Sequence, residues 1–323
     1  MKPSRCLLPA VFLFLLGATG CLFHTRTVEV RLSSAKLQTA TQQELIDRLN
    51  ESAARVTSLN ATVDIDTSYG GEKRGKVTDF KEIRGYILVR KPNMLRMIGL
   101  YPIVRNKAFD MVSDGHEFKL SVPGTNKFYI GHNEVTIPDS ASALDTLRPQ
   151  AIYDALLLQP IDPENEIAVM ESSQEMVVDA KTHKLAQQPN YVLDVIQKTD
   201  HGWILARKVI FDRTTLVAHR QVVYDTRGNP VTDARYQVFK DYDGVSFPSY
   251  IDIRRPQEEY DIRLFIVKLN INQPITEDQF ALQQPPGSQL VNLDNRNTNA
   301  SGTKPNVTNG ASTPTAADSA PPH

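Results

Sequence analysis

The residues that most often perform catalysis or hold metal ions are present in this chain, but their spacing matches no known reaction motif. No two of the seven histidines have the spacing of a zinc motif such as His-Glu-x-x-His. The histidines are His24, His116, His132, His183, His201, His219 and His323. A Gly-x-Ser-x-Gly nucleophile elbow and a glycine-rich phosphate loop are also missing from the sequence. The sequence therefore predicts a protein that is not an enzyme, with no catalytic residue, no metal site and no cofactor.

The side chain with the most informative position is the thiol of Cys21. Two basic residues, an apolar run at 7–16 and small residues at 17–20 precede it, which is the order found in a secretory signal peptide. The apolar run is too short to cross a bilayer as a helix. The other cysteine, Cys6, would leave with the signal, so Cys21 could not form an intramolecular disulfide.

Ala18-Thr19-Gly20-Cys21 resembles the lipobox of bacterial lipoproteins, although that family most often has Leu where Ala18 stands. The resemblance implies cleavage before Cys21 and attachment of acyl chains, palmitate among them, to its thiol and new amino group. More than one acyl chain holds a protein stably on a membrane. Leu22, in place of Asp, implies by the same resemblance an outer-membrane location facing the periplasm. The alternative is an ordinary cleaved signal followed by a chance cysteine.

Composition divides the chain into four parts. We expect a signal peptide at 1–20, a lipidated N-terminus and tether at 21–40, one folded domain at 41–287 and a disordered tail at 288–323. The tail is rich in Asn, Thr, Ser, Ala and Pro and has too few apolar residues to build a core. The formal net charge of −1, without clustered Lys and Arg, argues against nucleic-acid binding.

Two stretches of the domain have helical periodicity. Residues 41–57 begin with Thr41 and Glu44, the pair that forms a capping box, and carry an apolar stripe at helical spacing. A second stretch at 139–158 is apolar at similar spacing and is interrupted by Pro149.

Most of the remaining domain alternates apolar and polar residues, as strands with one wet face do. The clearest strands are 59–65, 118–122, 203–211, 216–224, 231–239, 247–253 and 260–271. Gly-containing turn signals such as Asp114-Gly115 and Asp243-Gly244 separate them, which favours consecutive antiparallel strands. Some strands are apolar on both faces, and the pattern of 260–271 changes parity near Phe265. A single curved sheet with helices on its concave side and a two-sheet sandwich both explain this.

Several short segments resemble the bacterial lipoprotein-sorting group, which includes the periplasmic carrier LolA and the outer-membrane receptor LolB. They are Gly85-Tyr86-Ile87-Leu88-Val89-Arg90-Lys91-Pro92-Asn93-Met94-Leu95-Arg96, Val112-Ser113-Asp114-Gly115-His116, Pro123-Gly124-Thr125-Asn126-Lys127 and Asn272-Gln273-Pro274-Ile275-Thr276-Glu277-Asp278-Gln279-Phe280. The resemblance spans roughly 42–287. It implies a mainly β (α+β) domain, in which a single curved antiparallel sheet forms an open half-barrel with helices covering the concave face.

By that resemblance, the concave face would be apolar and would receive acyl chains. The candidate lipid-binding residues are Ile87, Val89, Leu95, Met97, Phe118, Leu120, Trp203, Leu205, Tyr236, Ile251 and Leu264. The alternative for each is an ordinary core position. The apolar turn at 97–104 resembles a receptor loop that engages lipid, so we expect Leu100 and Tyr101 to contact membrane or cargo.

Together these observations predict an envelope lipoprotein whose apolar cleft binds lipid or lipoprotein acyl chains, in outer-membrane lipoprotein sorting or lipid transport. Its expected partners are acyl chains, the membrane, and a periplasmic carrier or another envelope protein. The alternative is a structural or regulatory interaction protein of the cell envelope without catalytic activity.

Overall fold

The computed structural model describes residues 35–133, 149–179 and 182–294, and this part of the chain forms one sheet of 15 strands. The helices are α1 (Gln42–Ala54) and α2 (Pro149–Leu156). The strands are β1 (Ser58–Gly71), β2 (Lys76–Asp79), β3 (Ile83–Arg90), β4 (Met94–Leu100), β5 (Lys107–Ser113), β6 (Glu117–Val122), β7 (Lys127–His132), β8 (Glu166–Val178), β9 (Leu185–Thr199), β10 (Gly202–Asp212), β11 (Ala218–Tyr224), β12 (Pro230–Tyr242), β13 (Val245–Arg255), β14 (Tyr260–Ile271) and β15 (Gln289–Asn292). Short 3-10 helices occupy Pro123–Thr125 and Glu277–Phe280.

The order of strands across the sheet is β15-β7-β6-β5-β4-β3-β1-β14-β13-β12-β11-β10-β9-β8, with β2 paired to β1. Neighbouring strands are antiparallel except β15, which runs parallel to β7. The predicted single, open, curved antiparallel sheet is therefore confirmed. The alternative of a two-sheet sandwich is wrong for these strands, because one continuous path of hydrogen bonds joins them.

Local sequence signals set the ends of the helices and turns. The predicted capping box at α1 is present: the Glu44 amide donates to Thr41 Oγ1, and the Thr41 amide donates to Glu44 Oε2. Within the described residues, α2 starts at Pro149. Residues 139–148 of the second predicted helical stretch lie outside the described residues.

β-Bulges explain the changes of parity along the strands. Between β1 and β14 the register shifts beside Val63, which moves the buried positions of β14 from Leu264 and Ile266 to Leu269 and Ile271. A bulge places two residues opposite one and thereby turns the following side chains to the other face. The parity change near Phe265 is thus a local irregularity within one sheet.

Both helices pack on the same face of the sheet, which we call the helix-side face. Ile152 and Tyr153 of α2 join a large core cluster formed by β1, β3 to β7 and β12 to β14. Leu45 and Leu49 of α1 join a second cluster formed by β9, β10 and the start of β11. The pairing of β10 with β11, β11 with β12 and β12 with β13 places residues of the two clusters on that same face.

The ordered sheet continues past residue 287, the predicted end of the domain. Strand β15 pairs with β7 and buries Val291, and Leu293 follows it into the core. Burial of these two apolar side chains stabilises this part of the chain, and the Pro-rich stretch before it has no comparable residues. Residues 295–323, the signal peptide and Cys21 lie outside the described residues. No helix in the described part of the chain has the length and apolar character needed to cross a bilayer.

The facing glycines of β3 and β4 allow the core to fill closely. Gly85 lies opposite Gly99. A Cβ at position 85 would overlap the Ile65 side chain and lie 2.9 Å from the Ile98 carbonyl oxygen.

Gly85→Ala should therefore lower the free energy of unfolding by about 1–3 kcal/mol, the usual cost of overpacking a core. Urea unfolding of the two proteins measures this difference. Gly71→Ala is the matched control, because a Cβ there meets mainly the flexible Glu259 side chain. Equal losses in both variants would contradict the expected close packing.

Candidate functional site

Nine of the eleven candidate lipid-binding residues lie together in the core on the helix-side face. Each is at most 5% exposed, and all belong to the cluster that includes Ile152 and Tyr153 of α2. They are Ile87, Val89, Leu95, Met97, Phe118, Leu120, Tyr236, Ile251 and Leu264. α2 packs into the same cluster, so in this conformation the nine residues are part of a filled core. Their role in lipid binding remains a prediction.

Trp203 and Leu205 lie apart from the other nine. A bulge between Leu205 and Arg207 shifts the register of β10, so Leu205 faces Ile196 on the side of the sheet opposite the helices. Trp203 is on that outer face as well and is 54% exposed. In the sequence, the even spacing of residues 203, 205 and 209 predicted that all three lie on the same face of the strand. That prediction could not include the bulge, because alternation alone does not reveal one.

An open apolar groove of about 230 Å³ lies between α1, the residues that follow α2, and strands β10 to β13. Its apolar lining residues include Leu49, Val56, Leu156, Leu157, Phe211, Leu216, Tyr236 and Phe247. Of the predicted lipid-binding residues, Tyr236 alone contributes to this groove. Leu49, Leu156 and Leu157 belong to the two helical stretches visible in the sequence. Their position over β10 to β13 depends on long-range packing that the sequence does not display.

The rim of the groove on α1 carries charges of both signs. Arg55 and Glu51 form an ion pair with a 2.5 Å separation between Nη2 and Oε1. Arg48 also lines the groove and forms no salt bridge with another described residue. An exposed cation that has no ion-pair partner among the described residues, next to an apolar groove, suits a ligand with an apolar chain and an anionic group.

Behind the groove, α2 places a carboxyl group in a poorly solvated position. Burial raises the pKa of Asp154 to about 6, and a hydrogen bond from Gln150 Nε2 partly opposes that increase. Gln221 Nε2 donates to the backbone carbonyl of Asp154. The Tyr236 hydroxyl has no hydrogen-bond partner within the described part of the chain, and burial together with nearby Asp154 raises its pKa. Because burial disfavours the charged form, ionisation of Asp154 destabilises the folded state.

The apolar turn predicted to contact membrane is a loop between β4 and β5. Its most exposed large apolar residues are Ile103, at 93%, and Val104, at 65%, whereas Tyr101 is 42% exposed and Leu100 is partly buried. Two backbone hydrogen bonds close the loop, from the Tyr101 amide to the Asn106 carbonyl and from the Arg105 amide to the Tyr101 carbonyl. The sequence located the loop but missed Ile103, because the apex depends on where β4 ends.

Metal ligands are not assembled in the described residues. No three His, Cys, Asp or Glu side chains there are grouped closely enough to hold an ion. His132 Nδ1 lies 2.9 Å from Asp294 Oδ2, and His219 Nε2 lies 3.1 Å from Asn190 Oδ1.

No protein-family model and no curated protein matches the chain. Solved structures do show similarity. A LolA superfamily protein from Nitrosomonas europaea is 12% identical over 76% of this chain and 99% of its own, with a TM-score of 0.45. A DUF1329 family protein from Desulfovibrio piger is 14% identical over 73% and 94%, with a TM-score of 0.46. A putative outer-membrane lipoprotein-sorting protein domain from Vibrio parahaemolyticus is 14% identical over 73% and 95%, with a TM-score of 0.45.

The group that the sequence motifs resemble is thus also found when the structure is compared.

Asp154→Asn should stabilise the protein at neutral pH. The pKa of Asp154 in the folded state is raised to about 6, so folding favours its protonated form, and that stability is lost as the pH rises through 6. At pH 7.5 the variant should gain up to about 3 kcal/mol, from ~1.4 kcal/mol per pKa unit, and at pH 3.5 it should gain almost nothing. Thermal unfolding at the two pH values tests this.

Asp47→Asn on the exposed side of α1 controls for the chemical change itself. A gain for Asp154→Asn that is the same at both pH values would rule out an ionised buried carboxyl as its cause.

Proposed function

We propose that this protein is a lipid-anchored envelope protein that binds an acyl chain of a lipid or lipoprotein, in lipoprotein sorting or lipid transport. The groove between α1, α2 and β10 to β13 carries this proposal, because it is an apolar surface left open beside a charged rim. The anchor would be acyl chains on Cys21, holding the domain at the outer membrane on its periplasmic side.

The size of the groove indicates what it could hold. Pockets for drug-sized ligands usually measure ~300–1,000 Å³, so a cavity of about 230 Å³ suits one end of a chain more than a whole lipid. Each buried methylene contributes ~0.8 kcal/mol, so even a partly inserted chain gains useful affinity.

A longer chain would require α2 to move. In this proposal α2 and α1 cover the concave face of a half-barrel, and displacement of α2 exposes the nine apolar residues beneath it. The ionised Asp154 lowers the cost of that displacement at neutral pH, because the carboxylate regains solvent when the helix lifts.

Ser52→Trp should block the groove. Ser52 is an exposed residue of α1 that lines it, so an indole there would fill space without disturbing the core. Using the Cys21→Ala protein, we expect binding of the fluorescent fatty acid dansyl-undecanoate to weaken at least about tenfold, a loss of ~1.4 kcal/mol. Mass spectrometry should also find less copurified lipid.

Asp47→Trp is the matched control, because it adds the same ring to α1 at an exposed position outside the groove. Undiminished fatty-acid binding by Ser52→Trp, or no binding by the parent protein, would refute acyl binding in the groove.

The loop between β4 and β5 would contact the membrane or the cargo. A double variant Ile103→Ser and Val104→Ser of the Cys21→Ala protein should bind liposomes at least about tenfold more weakly, since a fully buried apolar side chain contributes ~1.5–3 kcal/mol. Leu100→Ser with Tyr101→Ser should have a smaller effect, because Leu100 is already partly buried. Liposome sedimentation measures both.

Val178→Ser provides the control for this loop, since Val178 is 63% exposed on β8, which is nine strands from β4 in the order of the sheet. If sedimentation is the same for the loop variants and the parent, the loop is not a membrane contact.

A further inference from the structure

A second cavity, of about 280 Å³, lies on the outer face of the sheet at the base of the β4–β5 loop. Asp64 of β1 and Arg84 and Tyr86 of β3 form its floor, and Tyr101 and Arg105 of the loop form one wall. Glu82, just before β3, also lines it. Unlike the apolar groove, this cavity is polar and has cations, carboxylates and aromatic rings around it.

Of the four charged side chains that line the cavity, two form an ion pair with each other and two have no ion-pair partner among the described residues. Arg84 Nε donates to Asp64 Oδ1 at 2.5 Å and Arg84 Nη2 to Asp64 Oδ2 at 3.3 Å, so this pair is neutral as a unit. Glu82 and Arg105 line the same cavity and form no salt bridge with each other or with another described residue. The cavity therefore offers one free carboxylate and one free guanidinium.

The backbone conformation of Arg105 indicates that its side chain is held in a fixed position. Its φ is 53°, in the left-handed region that residues other than glycine seldom adopt. The hydrogen bond from its amide to the Tyr101 carbonyl, 3.1 Å long, holds this conformation. Such backbone conformations persist only where the surrounding structure fixes them.

A ligand that satisfies both free charges must itself carry both signs. A guanidinium is well suited to a phosphate, because its planar donors match the phosphate oxygens. A carboxylate beside a tyrosine ring suits an ammonium group, which the ring face also attracts. Tyr86 and Tyr101 are 43% and 42% exposed, so their rings are accessible to a ligand.

We propose that this cavity binds the phosphoethanolamine headgroup of a phospholipid, with the phosphate at Arg105 and the ammonium at Glu82. The inference rests on the proposed membrane contact of the loop. Tyr101, Pro102 and Arg105 belong to both the loop and the cavity wall. When Ile103 enters the apolar layer, Arg105 two residues later reaches the phosphate level, where cationic and tyrosine side chains are favoured.

The test compares vesicles that differ in one headgroup. The full-length Cys21→Ala protein is sedimented with vesicles of phosphatidylglycerol mixed with either phosphatidylethanolamine or phosphatidylcholine at equal surface charge. We expect about fivefold tighter binding to the ethanolamine vesicles, because their ammonium group can donate hydrogen bonds and is small. Glu82→Gln and Arg105→Asn should remove this preference. Asn is chosen because it tolerates the left-handed backbone.

Glu72→Gln and Arg227→Asn are matched controls that change the same charges at exposed turns outside the cavity. Equal binding to the two vesicle types, or a preference that survives in Glu82→Gln, would overturn the proposal. If the protein binds soluble phosphoethanolamine but shows no vesicle preference, the source is a free small molecule and the headgroup assignment is wrong. Loss of vesicle binding in all forms refutes the loop contact as well, whereas acyl binding in the groove is judged separately by the fatty-acid assay.

Discussion

One physical constraint organises this molecule: a wide sheet with one apolar face must be covered, and only two described helices are available to cover it. α2 packs against the central strands and α1 packs against β8 and β9. Strands β10 to β13 lie between the two helices and are covered by them only in part. The groove arises where this cover is incomplete, so its apolar character follows from the same burial that stabilises the fold.

Helix α2, which packs on the central strands, is also held less stably than its apolar contacts alone would indicate. α2 contributes Ile152 and Tyr153 to the core, and the Tyr153 hydroxyl donates to the Pro92 carbonyl in the β3–β4 turn. The same helix carries Asp154, whose burial disfavours the charged form. Neighbouring Tyr236 and Gln221 each retain a buried oxygen without a hydrogen-bond partner in the described residues. Incompletely satisfied polar groups are costly in a core, and such costs are often retained where an element has to move.

Local signals in the sequence predicted the local structure well. The capping box of α1 and the Asp114-Gly115 turn were both readable, because the residues that form them are close together in the chain. The faces of β10 and β14 were harder to predict, since a bulge is set by pairing with a distant strand. The groove could not be predicted for a related reason: it joins α1 to β10 and β13, which are far apart in sequence. The hydrophobicity of the β4–β5 loop was sufficient to predict the segment. Its apex at Ile103 became clear only from the end of β4 at Leu100.

The pairing of β1 with β14 has a consequence for how the chain acquires its structure. β1 is the first strand of the chain and β14 is nearly the last, yet they lie side by side in the middle of the sheet. Apart from β15, which pairs with β7, the N-terminal strands extend from this seam in one direction and the C-terminal strands in the other. Contacts between residues so distant in sequence slow folding, because a long loop must close before they form. A chain still emerging from a ribosome or a translocation channel would therefore contain two half-sheets that are not yet paired. They could pair only when β14, in the final third of the chain, has emerged.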